Sequence, residues 1–166
     1  GDVGPTFWDK QIEIIEDHVK DAIDKGAKVL VGGKRNPNFE GLYFEPTVLT
    51  EVTHEMKIMK DETFGPIISI MKVSSEEEAL MLANQSHYGL NGNVWTKDLI
   101  KGKKLAQSIE TGACSVNDMA MSYGVNEVPF GGVKESGLGV VNGEEGLLAY
   151  AHAMPIIIGK KSASAY

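Results

Sequence analysis

The sequence lacks the features that mark disulfide-bonded, membrane, nucleic-acid-binding and metal proteins. Its one cysteine excludes an internal disulfide and fits a reducing compartment, so we expect a cytoplasmic protein. No apolar run approaches the length that spans a bilayer, and no membrane partner is expected. The net charge is −7 and no basic stripe is present, which argues against nucleic acid as a partner. The four histidines are scattered without the spacing of metal ligands, so no metal site is expected: His18, His54, His87 and His152.

The bulk properties are those of an ordinary globular chain. At 166 residues it has the size of one domain, and we expect residues 1–166 to form a single domain. Hydrophobic residues make up 42% and charged residues 23%, which is typical of a soluble protein. No signal peptide is present and the first residue is not Met, so we expect the natural polypeptide to be longer.

The clearest predicted element is a helix from Trp8 to Lys25. Its apolar residues are spaced for one helical face: Trp8, Ile12, Ile15, Val19, Ala22 and Ile23. Thr6 and Asp9 have the spacing of a capping box, and Gly26 is a natural stop.

Strands and helices then alternate, which predicts an α/β fold. Strands are predicted at Lys28–Val31, Tyr43–Thr50, Ile67–Val73, Asn93–Thr96, Ala113–Asn117 and Met154–Ile158, and helices after Ser74 or Ser75, from Lys97 to Glu110 and from Glu144 to Ala151. Ile67–Val73 is almost entirely apolar, as a strand buried on both faces would be. From that strand onward the order is βαβαβ, which predicts a parallel-sheet core with right-handed crossovers.

Two tempting patterns are less favoured as sites of chemistry than their structural interpretations. Cys114 lies in a predicted buried strand with no His, Lys or Arg close in sequence, so an inert thiol is favoured over a nucleophile. The glycines Gly137, Gly139 and Gly143 nearly match a dinucleotide-binding fingerprint. One residue too many precedes the last glycine, however, and no strand precedes the first, so we reject the match.

Residues 129–139 (PFGGVKESGLG) contain four glycines in nine residues, which excludes a helix or an ordinary strand. Phe130 stands directly before the glycine pair, and Lys134 and Ser136 lie within the stretch. This composition indicates a rigid loop with a ring that faces a pocket. A tight connection between two packed elements explains the stretch equally well.

Residues 62–66 (ETFGP) place a carboxylate two positions before a ring, at the entry to the predicted strand Ile67–Val73. A carboxylate such as Glu62 can accept hydrogen bonds from two adjacent hydroxyls, as on a ribose, and a ring such as Phe64 can hold a flat heterocycle. A turn that only starts the strand explains the segment equally well.

Together the two segments resemble motifs of the aldehyde dehydrogenase superfamily. Residues 62–66 are similar to its Glu-x-Phe-Gly-Pro element, and residues 129–139 to its Pro-Phe-Gly-Gly-x-Lys-x-Ser-Gly-x-Gly element. The resemblance runs from Gly4 to about Ile158. Further matches lie at Gly4-Pro5, at residues 26–28, 41–48 and 84–90, at Val116-Asn117 and at residues 146–150.

This resemblance implies roles for four residues. Glu62 would hold the nicotinamide ribose and Phe64 would contact the nicotinamide. Phe130 would line the aldehyde pocket, with Asn117 behind it in a supporting role. Met154–Ile158 would match the terminal strand that joins subunits in the family, which implies a homo-oligomer. NAD or NADP would serve the complete enzyme, with none expected on this chain alone.

The resemblance also implies what is missing. The family reaction oxidises an aldehyde to a carboxylic acid and needs a Cys nucleophile, an oxyanion-hole Asn, a Glu general base and a Rossmann-type cofactor domain. In the family all of these precede the region matched here, and Cys114 lies between the two motifs rather than before both. The chain therefore resembles the C-terminal part of the catalytic domain, a fragment with no catalytic residue of its own. Its rivals are a non-catalytic interaction module or pseudoenzyme and, less favoured, a thiol enzyme built on Cys114.

Overall fold

A computed structural model of the chain describes residues 3–119 and 121–159. The described residues divide into two compact units, one up to Leu82 and one from Ala83 onward. The single domain expected over residues 1–166 stays a prediction, and residues 1, 2, 120 and 160–166 of it lie outside the described part. None of the helices in that part combines the length and the apolar character that a membrane span requires.

The first unit is a three-stranded sheet with helices. Its elements are α1 (Asp9–Asp24), β1 (Lys28–Val31), β2 (Thr47–Thr50), α2 (Lys57–Lys60), β3 (Ile67–Ile70) and most of α3 (Glu76–Asn84). The strand order is β1-β2-β3, with β1 antiparallel to β2 and β2 parallel to β3. The Ser75 hydroxyl accepts a hydrogen bond from the Glu78 N–H (3.2 Å) and caps α3, as expected.

The apolar stripe of α1 contributes to both core clusters of this unit. Ala22 clusters with Leu49 of β2, and Ile12, Ile15 and Val19 cluster with Phe44. Because burying one aliphatic side chain contributes about 1.5–3 kcal/mol, this stripe fixes which face of the helix meets the sheet.

The predicted capping box at Thr6 and Asp9 is wrong. The helix begins at Asp9 with Trp8 as the N-cap residue, and no side chain caps it. The Thr6 hydroxyl instead donates a hydrogen bond to the Leu42 carbonyl (3.1 Å), and the Thr6 N–H donates to the same oxygen (2.9 Å). The Thr6 hydroxyl therefore makes a tertiary hydrogen bond and does not cap the helix as predicted.

β3 is shorter and more exposed than its composition suggested. The strand ends at Ile70, and its side chains alternate between the packed face and an open one, with Ile68 62% exposed. The expectation of burial on both faces is therefore wrong for this chain. Successive side chains of a strand point to opposite faces, and the core clusters of this unit occupy only one of them.

The second unit holds two small sheets. Its elements are β4 (Tyr88–Gly89), β5 (Asn91–Val94), α4 (Leu99–Ala106), β6 (Ala113–Val116), α5 (Met121–Gly124), β7 (Val133–Lys134) and α6 (Gly143–Leu148), and it also receives the end of α3. β5 pairs with β6 in parallel through the crossover helix α4, and β4 pairs with β7 in antiparallel fashion. The Asp98 carboxylate caps α4 by accepting from the Lys101 N–H (3.0 Å).

The α/β architecture agrees with the sequence. Parallel pairing occurs in two separate pairs, β2–β3 in the first unit and β5–β6 in the second, each joined through a helix. The predicted βαβαβ core began at β3, but within the described residues β3 pairs with β2, and only β5–α4–β6 follows the predicted order. The predicted terminal segment Met154–Ile158 has no strand assignment in the described chain, and its large side chains are exposed. Pairing of that segment with another subunit stays a prediction.

Candidate cofactor and substrate residues

Glu62 and Phe64 lie on the turn that leads into β3. The Ile67 N–H donates to the Gly65 carbonyl and the Thr47 N–H to the Pro66 carbonyl, both at 2.8 Å, which closes the turn against β2. Phe64 has a φ of +45°, in the left-handed region that costs a non-glycine residue about 1–3 kcal/mol. Its ring is nevertheless 71% exposed. The turn therefore presents this ring to the surroundings at a conformational cost that other contacts must offset.

The Glu62 carboxylate is also exposed, and within the described residues it takes part in no hydrogen bond or ion pair. Both of its oxygens can therefore accept hydrogen bonds from an incoming group. A vicinal diol such as a ribose supplies two such donors. The predicted contacts of Glu62 with a ribose and of Phe64 with a nicotinamide stay predictions.

Helix α1 holds this turn from behind. The Gln11 side-chain amide donates to the Thr63 carbonyl (2.5 Å), and the His18 Nδ1 lies 3.0 Å from the Thr63 hydroxyl. A Cβ added at Gly65 would lie 2.7 Å from the Ile15 side chain, so only glycine allows this close approach. Gln11, Ile15 and His18, which lie along one face of α1, therefore hold the turn in place.

The segment before the turn is tied to the same helix by charge. The Lys57 ammonium pairs with the Asp17 carboxylate (2.7 Å), and the Lys57 N–H at the start of α2 donates to the Asp21 carboxylate (2.8 Å). The bond from the Lys57 ammonium holds the pKa of the Asp17 carboxyl below its ordinary value. The pKa of the Asp21 carboxyl is lowered as well, first by the Lys25 ammonium and then by the Lys57 N–H. The Lys57–Asp17 pair is about half exposed, so it adds little stability and mainly fixes position, whereas the Asp21 side chain is only 14% exposed.

The Lys and the Ser of the Gly-rich loop serve the loop itself. The Lys134 ammonium donates to the carbonyls of Asn84 (2.8 Å) and Ser86 (3.0 Å) and pairs with the Glu110 carboxylate (3.0 Å). The Ser136 hydroxyl accepts a hydrogen bond from the Gly89 N–H (2.9 Å). Both side chains thus fasten residues 129–139 to neighbouring backbone, and the Lys134 ammonium is fully engaged there.

Two glycines of this loop, Gly131 and Gly132, are packed against backbone. An added Cβ would lie 2.2 Å from the Gly139 carbonyl oxygen if placed at Gly131, and 2.6 Å from the Ser136 backbone if placed at Gly132. At Gly112, just before β6, it would lie 1.6 Å from the Gly131 carbonyl oxygen. Glycine at these positions permits this close packing. The packing fits both interpretations of the sequence, a rigid loop with a pocket-facing ring and a tight connection between two packed elements.

Phe130 is half-buried at the start of this loop. Its N–H and carbonyl exchange hydrogen bonds with those of Val141, both at 2.8 Å. Its ring meets the ring of Tyr123 edge to face, with centroids 5.3 Å apart. The backbone and the ring are therefore both held, as a pocket wall requires.

Asn117 has a different environment. Its side-chain carbonyl accepts from the Thr96 N–H and its amide donates to the Thr96 carbonyl, both at 2.8 Å, so the side chain extends the pairing of β5 and β6 by one step. Its φ of +58° is one that Asn tolerates better than most residues. With both of its polar groups engaged, Asn117 is suited to a supporting role, and its predicted link to substrate stays a prediction.

Cys114 is partly buried in β6, and burial raises the pKa of its thiol above the ordinary value. A raised pKa keeps the sulfur protonated, whereas nucleophilic cysteines need the thiolate. This agrees with the interpretation of Cys114 as an inert thiol. The described residues also contain no group of three or more His, Cys, Asp or Glu side chains that could hold a metal ion.

The contact between His18 and Thr63 was not predicted from the sequence. His18 lies in the apolar stripe of α1 and is only 6% exposed, although its ring needs a polar partner. A histidine between Ile15 and Ala22 on an otherwise apolar face was the available signal. Its partner could not be read from the sequence, because the two residues are 45 positions apart.

Comparisons with known proteins agree on one family. Residues 1–155 match the family model described as "Aldehyde dehydrogenase family". The chain is 43% identical over 152 residues to a 4,4'-diapolycopene aldehyde oxidase of Methylomonas sp., covering 92% of the chain and 28% of that relative. A crystal structure of a Mycobacterium tuberculosis aldehyde dehydrogenase complexed with NAD+ superposes with a TM-score of 0.82 at 40% identity, covering 87% of this chain and 30% of that one.

A second structure gives the same result. Betaine aldehyde dehydrogenase of Staphylococcus aureus, in complex with NAD+, superposes with a TM-score of 0.81 at 38% identity, covering 89% of this chain and 29% of that one. The small sheets and helices of the two units therefore match this fold. The chain spans about 30% of the length of the relatives that it matches.

Proposed function

The chain belongs to the aldehyde dehydrogenase family, and we propose that it forms part of an enzyme that oxidises an aldehyde to a carboxylic acid with NAD or NADP. The observation that carries this proposal is the turn at residues 62–66, where Glu62 and Phe64, two positions apart, are both exposed. When bound, the cofactor accepts a hydride from the substrate. In this proposal the chain binds and orients the cofactor and the substrate, and it contributes no nucleophile or general base.

Each of the four site residues has a definite task in this proposal. Glu62 accepts hydrogen bonds from the ribose hydroxyls, and Phe64 supports one face of the nicotinamide. Phe130 forms a wall of the aldehyde pocket, and Asn117 fixes the end of β6 behind that wall. The nucleophile, the general base and the pyrophosphate site come from the rest of the enzyme, which this chain does not contain.

The test compares this chain with a family-length polypeptide that contains it. The chain alone should bind neither NAD+ nor NADP+ measurably by calorimetry, because one carboxylate and one ring do not replace a pyrophosphate site at a helix N-terminus. The family-length polypeptide should produce NADH or NADPH with an aldehyde present. Micromolar cofactor affinity of the chain alone, or no turnover by the longer polypeptide, would contradict the proposal. The second result would favour an interaction module or a pseudoenzyme.

We also propose that the complete enzyme is a cytoplasmic homo-oligomer joined near Met154–Ile158. The single cysteine supports the compartment. The oligomer is supported by the exposed apolar side chains of this segment, whose backbone forms no hydrogen bond among the described residues. An extended apolar segment of this kind is suited to pairing with another chain. Sedimentation should show an oligomer, and truncation after Ala153 should weaken it. A monomer both before and after truncation would contradict the proposed oligomer.

A further inference from the structure

The turn that carries Glu62 and Phe64 is held by a residue that its own motif leaves open. In Glu-x-Phe-Gly-Pro the second position is unspecified, and here it is Thr63. Thr63 is half-buried between two exposed neighbours, and its hydroxyl lies 3.0 Å from the His18 Nδ1. The functional side chains point outward while the residue between them is anchored inward.

The anchor has little freedom to move. His18 is 6% exposed on α1, flanked by the fully buried Ile15 and by Val19, so its ring is fixed by the core. On the turn side, Gln11 holds the Thr63 carbonyl and Ile15 lies against Gly65. Among these contacts, the His18–Thr63 contact involves the Thr63 side chain, whereas Gln11 binds the Thr63 backbone carbonyl.

We propose that His18 is a positioning residue, which acts through the Thr63 hydroxyl to hold Glu62 and Phe64 in the orientation that binds the cofactor. This inference rests on the proposed function. The left-handed backbone at Phe64 makes the anchor necessary, since a released turn would relax toward an ordinary φ and rotate both functional side chains away.

The first measurement is cofactor affinity in the family-length enzyme. Thr63→Val removes the hydroxyl and keeps the shape, and it should raise Kd and KM for the cofactor about five- to tenfold, the size of one lost hydrogen bond. The aldehyde KM should not change. Thr63→Ser keeps the hydroxyl and should stay within about twofold of the parent.

The second measurement separates a coupled pair from two independent losses. His18→Leu should raise the cofactor Kd as Thr63→Val does, and the double variant should show the rise of one single variant rather than the product of both. Thr6→Val is the matched control, since it removes a different threonine hydroxyl bond, to the Leu42 carbonyl, within the same unit.

The third measurement needs no activity. In the 166-residue chain, Thr63→Val should speed hydrogen exchange at the Ile67 amide, which donates to Gly65 across the turn, while the β2 amides keep their protection. Faster exchange through β2 as well would overturn the proposal, because the contact would then be only structural. Unchanged cofactor affinity in Thr63→Val, with weakened affinity in Glu62→Gln, would overturn it and leave the proposed function standing. Unchanged affinity in both would overturn the two together.

Discussion

Replacing Gly112 with alanine should lower the free energy of unfolding of this chain by about 3 kcal/mol or more. The new Cβ would lie 1.6 Å from the Gly131 carbonyl oxygen, far inside van der Waals contact. A clash with a flexible side chain is relieved by a rotamer change, but here the neighbour is backbone. That backbone is also held in place by Lys134 and Ser136. Either the loop or the start of β6 must therefore move.

Urea unfolding of the two proteins measures the effect. The matched control is Gly124→Ala, which places the same methyl group in open space at a residue without a positive φ. The control should stay within about 0.5 kcal/mol of the parent. In the family-length enzyme, Gly112→Ala should also raise the aldehyde KM, since Phe130 directly precedes the displaced Gly131. Equal stability of the two variants would mean that the loop is loosely packed.

Local patterns in the sequence predicted the longer helices and most strands, but not the short elements α2, β4, α5 and β7. The patterns work where they report burial. The stripe of α1 is legible because Ile12, Ile15 and Val19 recur at helical spacing and are buried. The composition of residues 67–73 misled for the same reason. An apolar strand predicts two covered faces, but in this chain Ile68 faces outward. A sequence pattern shows which side chains are apolar enough to be buried, whereas the structure shows which of them are covered within the described unit.

The candidate site was predictable in part. The spacing of residues 62–66 and 129–139 located the turn and the Gly-rich loop, and the structure adds what holds each of them. No role was assigned to Lys134 from the sequence, and the structure shows its ammonium bound by two carbonyls and a carboxylate. His18 and Thr63 were not predictable, because their contact depends on how α1 packs against a distant turn.

In the family-length enzyme, Glu62→Gln should slow hydride transfer on the order of 100-fold while leaving folding and alkylation of the catalytic cysteine near normal. Glutamine keeps the size of the side chain and loses the charge that strengthens both hydrogen bonds to a ribose diol. Within the described residues the carboxylate holds no other part of the protein, so its loss should not unfold the turn. The damage should appear in the positioning of the cofactor.

A deuterated aldehyde measures this directly, because cleavage of the aldehyde C–H bond should become rate-limiting and the isotope effect should rise. Asp61→Asn is the matched control: it removes one carboxylate charge from the exposed neighbouring position, and the isotope effect should not change. A general loss of local charge would affect both variants equally. If Glu62→Gln unfolds the chain, or leaves the isotope effect of the parent enzyme unchanged, then Glu62 is only a turn residue, and the ribose contact must come from elsewhere in the enzyme.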